Sequence, residues 1–144
     1  MKKFSFRFAA VLRQREIVLD QKRSIFAEVE RKLALAEELL TQRRQDLGAQ
    51  LAGGPQAGQA FDARKELVRH RYIFSLRQEI GRREQQMVMV EQELTRARQV
   101  VTVAHQDLRA MEILREKDHL AWQHEMKRAE ERQIDEHNAQ RFQR

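Results

Sequence analysis

The chain has 144 residues, of which 35% are charged and only 6% are aromatic, and its formal net charge is +6 at pH 7. It contains no cysteine, which excludes disulfides and thiolate metal sites. Glu, Gln, Arg, Lys, Ala and Leu dominate, as is typical of long helices and coiled coils rather than of a compact enzyme core. We therefore expect an all-α protein.

The N-terminus begins with Met1-Lys2-Lys3, as a signal peptide does, but the apolar run that follows is short. It covers Phe8–Leu12, whereas a signal peptide needs about 7–15 apolar residues and a membrane span about 20. We expect a soluble, cytoplasmic protein.

The first helix is predicted over about residues 4–50, where every seventh residue from Leu12 is large and apolar. This column consists of Leu12, Leu19, Phe26, Leu33, Leu40 and Leu47. Two other columns are candidates for the second row of seam residues. Val11, Val18, Ile25, Lys32 and Leu39 are nearly as apolar, and Arg15, Lys22, Val29, Ala36 and Arg43 are less so. A strict seven-residue period predicts a left-handed coiled coil.

A hinge is predicted at about residues 51–60, within the uncharged stretch 48–59. That stretch holds four of the five glycines and the only proline, in Gly53-Gly54-Pro55. Glycine and proline both disfavour a continuous helix. The stretch is not a phosphate-binding loop, because no Lys-Ser/Thr pair follows it.

The second helix is predicted over about residues 61–140 and shows the same period. One column is Ile73, Ile80, Met87, Leu94, Val101 and Leu108, and the other is Leu76, Arg83, Val90, Ala97, Ala104 and Met111. Gly81 is the one internal weak point of this helix.

The short hinge predicts an antiparallel coiled-coil hairpin that forms a single domain over residues 1–144. Pairing outward from the hinge sets Leu47 near Phe61, and Leu12 near Val101–Leu108. The second helix then continues for about 30 residues, or about 45 Å, beyond the first. An amphipathic helix without an intramolecular partner is expected to pack on another surface or to fray.

No arrangement of residues in the chain is typical of catalysis. Ser5, Ser24 and Ser75 have no nearby base, and a two-helix coiled coil has no enclosed pocket. Glu116 and His119 have the Glu-x-x-His spacing of di-iron bundles, but such a site needs a second pair and two more glutamates. We expect no enzymatic activity, no cofactor and no metal.

The two ends of the chain carry the most distinctive residues. Three of the seven phenylalanines fall within the first eight positions. An F-x-F-x-x-V-L-x-x-R-E pattern is matched at Phe6, Phe8, Val11, Leu12, Arg15 and Glu16. An L-x-E-K segment is matched at Leu114, Glu116 and Lys117, and an E-x-x-x-D-E segment at Glu131, Asp135 and Glu136. In this order and spacing the chain resembles the flagellar FliJ family of type III export proteins.

The resemblance implies a non-enzymatic stalk and adaptor, similar to the central stalk of rotary ATPases. Its implied partners are a hexameric export ATPase, the cytoplasmic domain of the export gate, and export chaperones. Contact with the ATPase ring is expected at Phe6, Phe8, Leu12, Arg15, Leu114, Lys117, Trp122, Glu131, Asp135 and Glu136. Trp122 stands where such families often carry an arginine or a tyrosine. Contact with the gate is expected at Arg69, Tyr72, Phe74 and Leu76. The implied location is cytoplasmic, peripheral to the inner membrane through these partners.

Two other classes stay open on the residues alone. One is a general coiled-coil scaffold with a different partner. The other is a basic helical nucleic-acid binder, suggested by the arginines between Arg64 and Arg83. Most basic residues have acidic neighbours in sequence, which favours a solvated helix face, and nucleic acid is not among the expected partners.

Overall fold

The computed structural model describes residues 3–142, and two helices account for most of them. Helix α1 spans Ala9–Ala52, with 44 residues, and helix α2 spans Ala63–Phe142, with 80 residues. The described range 3–142 contains no strand. The helices pack against each other as a hairpin, so the predicted all-α fold with a longer second helix is confirmed. Neither helix, over the same range, has an apolar stretch long enough to span a bilayer.

The chain divides into two compact units, which are described separately. The turn unit is Arg23–Val100, and the terminal unit is Met1–Lys22 with Val101–Arg144. Each unit contains one part of α1 and one part of α2.

The seam of the turn unit is built from side chains spaced alternately three and four residues apart. Its buried members are Val29, Leu40, Ile73, Leu76 and Val90. The predicted leucine column of α1 is buried or half-buried here, at Phe26, Leu33, Leu40 and Leu47. Both predicted columns of α2 also face the seam, with Ile80, Arg83, Met87, Leu94 and Ala97 half-buried. The heptad prediction is confirmed for these columns.

The second column of α1 was ranked wrongly from its apolarity. Ile25 is 48% exposed and Leu39 is 38% exposed, whereas Val29 is buried and Ala36 is half-buried. A coiled-coil seam uses positions three and four apart, and a residue directly before a seam position points about 100° away from it. The geometry of the helix therefore selects the less apolar column.

A charged layer interrupts the apolar seam of the turn unit. Arg83 donates to Glu79 Oε1 from Nη2 at 2.8 Å and from Nε at 3.0 Å. Arg43 Nε lies 3.2 Å from the same oxygen, in ion-pair contact but misaligned for a hydrogen bond, and Arg43 Nη1 donates to Asp46 at 3.1 Å. The hydrogen bond from Arg83, assisted by Arg43, lowers the pKa of Glu79 from its ordinary value. A polar layer of this kind favours one pairing register over others.

The turn is closed by specific local hydrogen bonds. The Gly53 N–H donates to the Ala49 carbonyl at 3.0 Å, and Gly58 has a φ of 90°, which favours glycine. Asp62 caps the start of α2, because its Oδ1 accepts from the backbone N–H of Arg64 at 3.0 Å and of Lys65 at 3.3 Å.

The pairing register at the turn differs from the expected one. Arg69 Nη1 donates to the Gln50 carbonyl at 2.7 Å, and Arg44 Nη2 donates to Glu84 at 2.7 Å. Leu47 therefore lies level with the part of α2 between Arg69 and Glu84, and not beside Phe61, which is exposed. The expectation paired the helices directly outward from the hinge, whereas Arg69 lies level with Gln50, so the first turns of α2 extend past the end of α1.

The terminal unit continues the same kind of seam. Leu12, Leu19 and Ala104 are buried, and Leu108 and Met111 are half-buried. Arg15 Nη1 donates to Asp107 Oδ2 at 3.2 Å, which places the start of α1 beside this part of α2. Because the helices are antiparallel, Leu12 lies further along α2 than Asp107, just past the expected Val101–Leu108.

Candidate partner-binding surfaces

The chain before α1 forms an aromatic joint with α2, in the terminal unit. Residues 3–8 are not helical, and α1 begins only at Ala9. The Phe4 ring meets His119 edge-on, with centroids 4.9 Å apart, and lies 5.8 Å from the ring of Trp122. His119 and Trp122 stack at 5.8 Å with an interplanar angle of 28°. We call Phe4, His119 and Trp122 the aromatic joint.

The next two phenylalanines anchor the same segment. Phe6 is buried, and its ring meets Phe8 edge-on at 5.9 Å. The Arg7 guanidinium lies 4.5 Å from the centroid of the Phe8 ring, within the range of a cation–π interaction. Since Phe6 and Leu12 are both buried, these two residues hold the N-terminal segment in place and offer little surface to a partner.

Glu116 and His119 do not point to a common metal position. Arg109 Nη1 donates to Glu112 at 3.0 Å and to Glu116 at 3.5 Å, whereas His119 belongs to the aromatic joint. The hydrogen bond to Glu112, with the charge of Glu116, raises the pKa of Arg109. Within residues 3–142 no group of three or more potential ligands has the geometry to hold a metal ion.

Beyond Trp122, the described residues of α1 and of the segment before it make no hydrogen bond, ion pair or ring contact with α2. Met126 and Ala129 are half-buried, and every side chain from Glu130 to Arg141 is exposed. Glu131, Asp135 and Glu136 are therefore accessible, as is Lys117, while Leu114 is half-buried. Because Phe4 already covers α2 as far as Trp122, the unpaired part is about 20 residues or 30 Å, shorter than the 45 Å expected. We call residues 123–142 the free end of α2.

The four residues expected at the gate fall into two groups, both in the turn unit. Leu76 is only 1% exposed and Arg69 is engaged by Glu66 and by the Gln50 carbonyl, so both stabilise the hairpin. Tyr72 and Phe74 are exposed, with Phe74 at 65%, and only these two are accessible to a partner.

Two features were missed by reasoning from the sequence. Phe4 belongs to the conspicuous N-terminal phenylalanine cluster, but its contact with His119 and Trp122 needed the pairing register to be known. The second feature is an open groove of about 700 Å³ in the turn unit, lined in part by Leu35, Ala36, Leu39, Met89 and Val90. The small side chain of Ala36 leaves space there, a signal that was present in the heptad columns.

Comparison with known proteins identifies one family. A family model described as "Flagellar FliJ protein" matches residues 4–144, almost the whole chain. No curated protein and no solved structure gives a significant match. The matched range includes the aromatic joint, both helices and the turn.

Proposed function

Because the chain belongs to the flagellar FliJ protein family and is thereby a component of the flagellar export apparatus, we propose that it acts as the stalk and adaptor of that apparatus. In this role it inserts into a hexameric export ATPase, stimulates ATP hydrolysis, and links the ATPase to the export gate and to export chaperones. On this proposal it is a structural adaptor and not itself an enzyme.

The observation that carries the proposal is the aromatic joint. A stalk that enters a ring must present its two chain ends as one body, so that force on one end is not lost as relative motion. Phe4, His119 and Trp122 join the start of the chain to α2 through three ring contacts. The Arg15–Asp107 ion pair adds a polar contact within the same unit.

The free end of α2 is the proposed ring-facing surface. Glu131, Asp135 and Glu136 are exposed on it and are therefore available to basic groups of a ring. Lys117 lies before the joint and is also exposed. Three of the residues expected at the ring have an indirect role on this proposal, because their side chains are buried or half-buried in the terminal unit. They are Phe6, Leu12 and Leu114.

The test is stimulation of ATP hydrolysis by a purified hexameric export ATPase when the full-length chain is added. The variant Glu131→Gln/Asp135→Gln/Glu136→Gln is expected to lose most of the stimulation and to keep its helicity, because all three side chains are exposed. The matched control is Glu28→Gln/Glu30→Gln/Glu37→Gln, which removes three exposed carboxylates from α1. Equal stimulation by both triple variants would refute the assignment of the free end, and no stimulation by the wild type would refute the stalk.

The gate contact is proposed at Tyr72 and Phe74 alone. Both rings are exposed beside the turn, whereas Arg69 and Leu76 are used within the hairpin. The double variant Tyr72→Ala/Phe74→Ala is expected to lose binding to the cytoplasmic domain of the gate while still stimulating the ATPase. Loss of both activities together would contradict separate surfaces. On this proposal the protein lies in the cytoplasm, peripheral to the inner membrane through its partners.

A further inference from the structure

Helix α2 carries a second apolar row within the turn unit, outside the seam. Leu67, Phe74 and Val88 are 52%, 65% and 50% exposed, and they fall at intervals of seven or fourteen residues. Gly81 occupies the remaining position of the row, seven residues after Phe74. We call Leu67, Phe74, Gly81 and Val88 the outer stripe. Exposed apolar residues scattered singly are ordinary, but a row with heptad spacing is the pattern of a helix-packing face.

The hairpin has no need of a glycine at position 81. A Cβ added to Gly81 would meet nothing within 4 Å, and glycine weakens a helix relative to alanine. A glycine within a helical packing face permits close approach of another backbone. Its place in the row, between Phe74 and Val88, is where a helix lying along the stripe would come closest.

The charges beside the outer stripe are unbalanced. Arg64 and Arg71 lie three residues before and four after Leu67, and Arg77 lies three after Phe74, so all three border the stripe. Within residues 3–142 none of these three arginines has an ion-pair partner.

The acidic residues of the same part of α2 are already engaged. Glu66 pairs with Arg69, Glu79 with Arg83, and Glu84 with Arg44. Glu91, three residues after Val88, is the acidic residue at the far end of the stripe. The end near Leu67 is therefore basic, and the end near Val88 is not.

We propose that the outer stripe binds an amphipathic helix of another protein. That helix has an apolar residue at every seventh position, and carboxylates flank the apolar residues that contact Leu67 and Phe74. The heptad row supplies the apolar contacts, Gly81 permits the close approach, and the three arginines select acidic flanks. The inference shares Phe74 with the proposed gate contact, but it does not depend on the stalk function, because it follows from the surface of the turn unit alone.

A membrane surface and a second copy of the chain fit the stripe less well. An interfacial helix needs a broad apolar face, whereas this row is one residue wide and Gln78 and Gln85 lie along it. A second copy brings the same arginines to the contact. With Phe74 against Gly81 of an antiparallel copy, the two Arg77 side chains come to the same level.

The test uses a fluorescently labelled peptide of about four heptads, with leucine at every seventh position and glutamate at the flanking positions. Its binding to the full-length chain is followed by anisotropy. The acidic peptide is expected to bind, and its affinity is expected to fall as salt is added. A version with lysine for glutamate, and one with the same composition but the leucines moved out of the heptad, are expected to bind at least about tenfold more weakly.

Two variants decide whether the outer stripe is the site. Gly81→Gln is expected to raise the urea midpoint of the free chain, because glycine weakens a helix. It is also expected to weaken peptide binding at least about tenfold. A variant that merely damaged the fold would lower both the midpoint and the affinity. Phe74→Gln is expected to weaken binding similarly. Ile25→Gln on α1, at a residue of the turn unit that is 48% exposed, is the matched control and is expected to bind as the wild type does.

The proposal is overturned if the acidic peptide does not bind, or if it binds Gly81→Gln and Phe74→Gln as tightly as the control. It is also overturned if these variants instead release the chain from phosphatidylserine vesicles, or convert a dimer to a monomer in sedimentation. None of these measurements contains the ATPase or the gate, so failure here leaves the stimulation assay of the stalk function unaffected.

Discussion

Leu76→Ala and Phe74→Ala change residues two positions apart in α2 and are expected to differ sharply in their effect on the free energy of unfolding. Leu76 is 1% exposed, and replacing a fully buried leucine by alanine costs about 2–5 kcal/mol. We expect about 3 kcal/mol, because a two-helix seam relaxes around a cavity more easily than a thick core. Phe74 is 65% exposed, so its replacement is expected to change stability by less than about 0.5 kcal/mol.

The assay is urea unfolding followed by the far-ultraviolet circular dichroism of the helices. With a denaturant slope of about 2 kcal/mol per molar urea, Leu76→Ala lowers the midpoint by about 1.5 M, and Phe74→Ala by less than about 0.3 M. Equal midpoint shifts for the two variants would refute the assignment of Leu76 to the seam and of Phe74 to the surface. If the shifts were equal, a loss of gate binding in Leu76→Ala could be attributed to a direct contact of Leu76 with the gate.

Three further predictions concern the ends, the charged layer and the start of α2. Phe4→Ala removes a ring that packs on Trp122, the only tryptophan, so its fluorescence is expected to move to longer wavelength as water gains access. Glu79→Gln removes the carboxylate that binds Arg83 and is expected to lower the urea midpoint at neutral pH. Because the folded pKa of Glu79 is lowered, its contribution is present above the ordinary glutamate pKa of about 4.3 and is lost as pH falls through the folded value. The midpoint difference from the wild type should therefore close in acid. Asp62→Ala removes the cap of α2 and is expected to cost about 1 kcal/mol in urea unfolding.

Each of these predictions has an outcome that contradicts it. Unchanged emission in Phe4→Ala, with a shift in Phe8→Ala instead, would mean that Phe4 does not cover the tryptophan. A midpoint difference for Glu79→Gln that is the same at every pH would argue against a carboxylate ion pair. Asp62→Asn keeps an oxygen that accepts the capping bonds and is expected to unfold as the wild type does, so equal losses in the alanine and asparagine variants would refute the cap.

The heptad pattern was sufficient to predict both helices and three of the four seam columns. A column such as Leu12 to Leu47 has few alternatives, because six large apolar residues at one spacing cannot all be exposed. The fourth column was misjudged because apolarity competes with geometry. Arg43 and Lys22 look unsuited to a seam, but Arg43 is accommodated there by Glu79 on the opposite helix.

The surfaces were harder to predict than the seam, since they depend on which residues lie opposite one another. The N-terminal phenylalanines gave a clear signal, yet the sequence does not say that Phe4 reaches Trp122. That contact follows from the non-helical segment before Ala9, which brings the Phe4 ring against α2. The division of the expected gate residues into Leu76 inside and Phe74 outside likewise required the hairpin.

The charged layer of Arg43, Glu79 and Arg83 has a consequence for how the chain folds. A seam made only of leucines and valines has nearly equivalent pairings displaced by one heptad, each of which is a potential kinetic trap. A displacement by seven residues would place Arg43 opposite Tyr72 or Gln86, so its guanidinium would keep Asp46 on its own helix but lose the carboxylate of the opposite helix. Misaligned hairpins of the turn unit are thereby made short-lived, and the chain can reopen and search again until Arg43 meets Glu79.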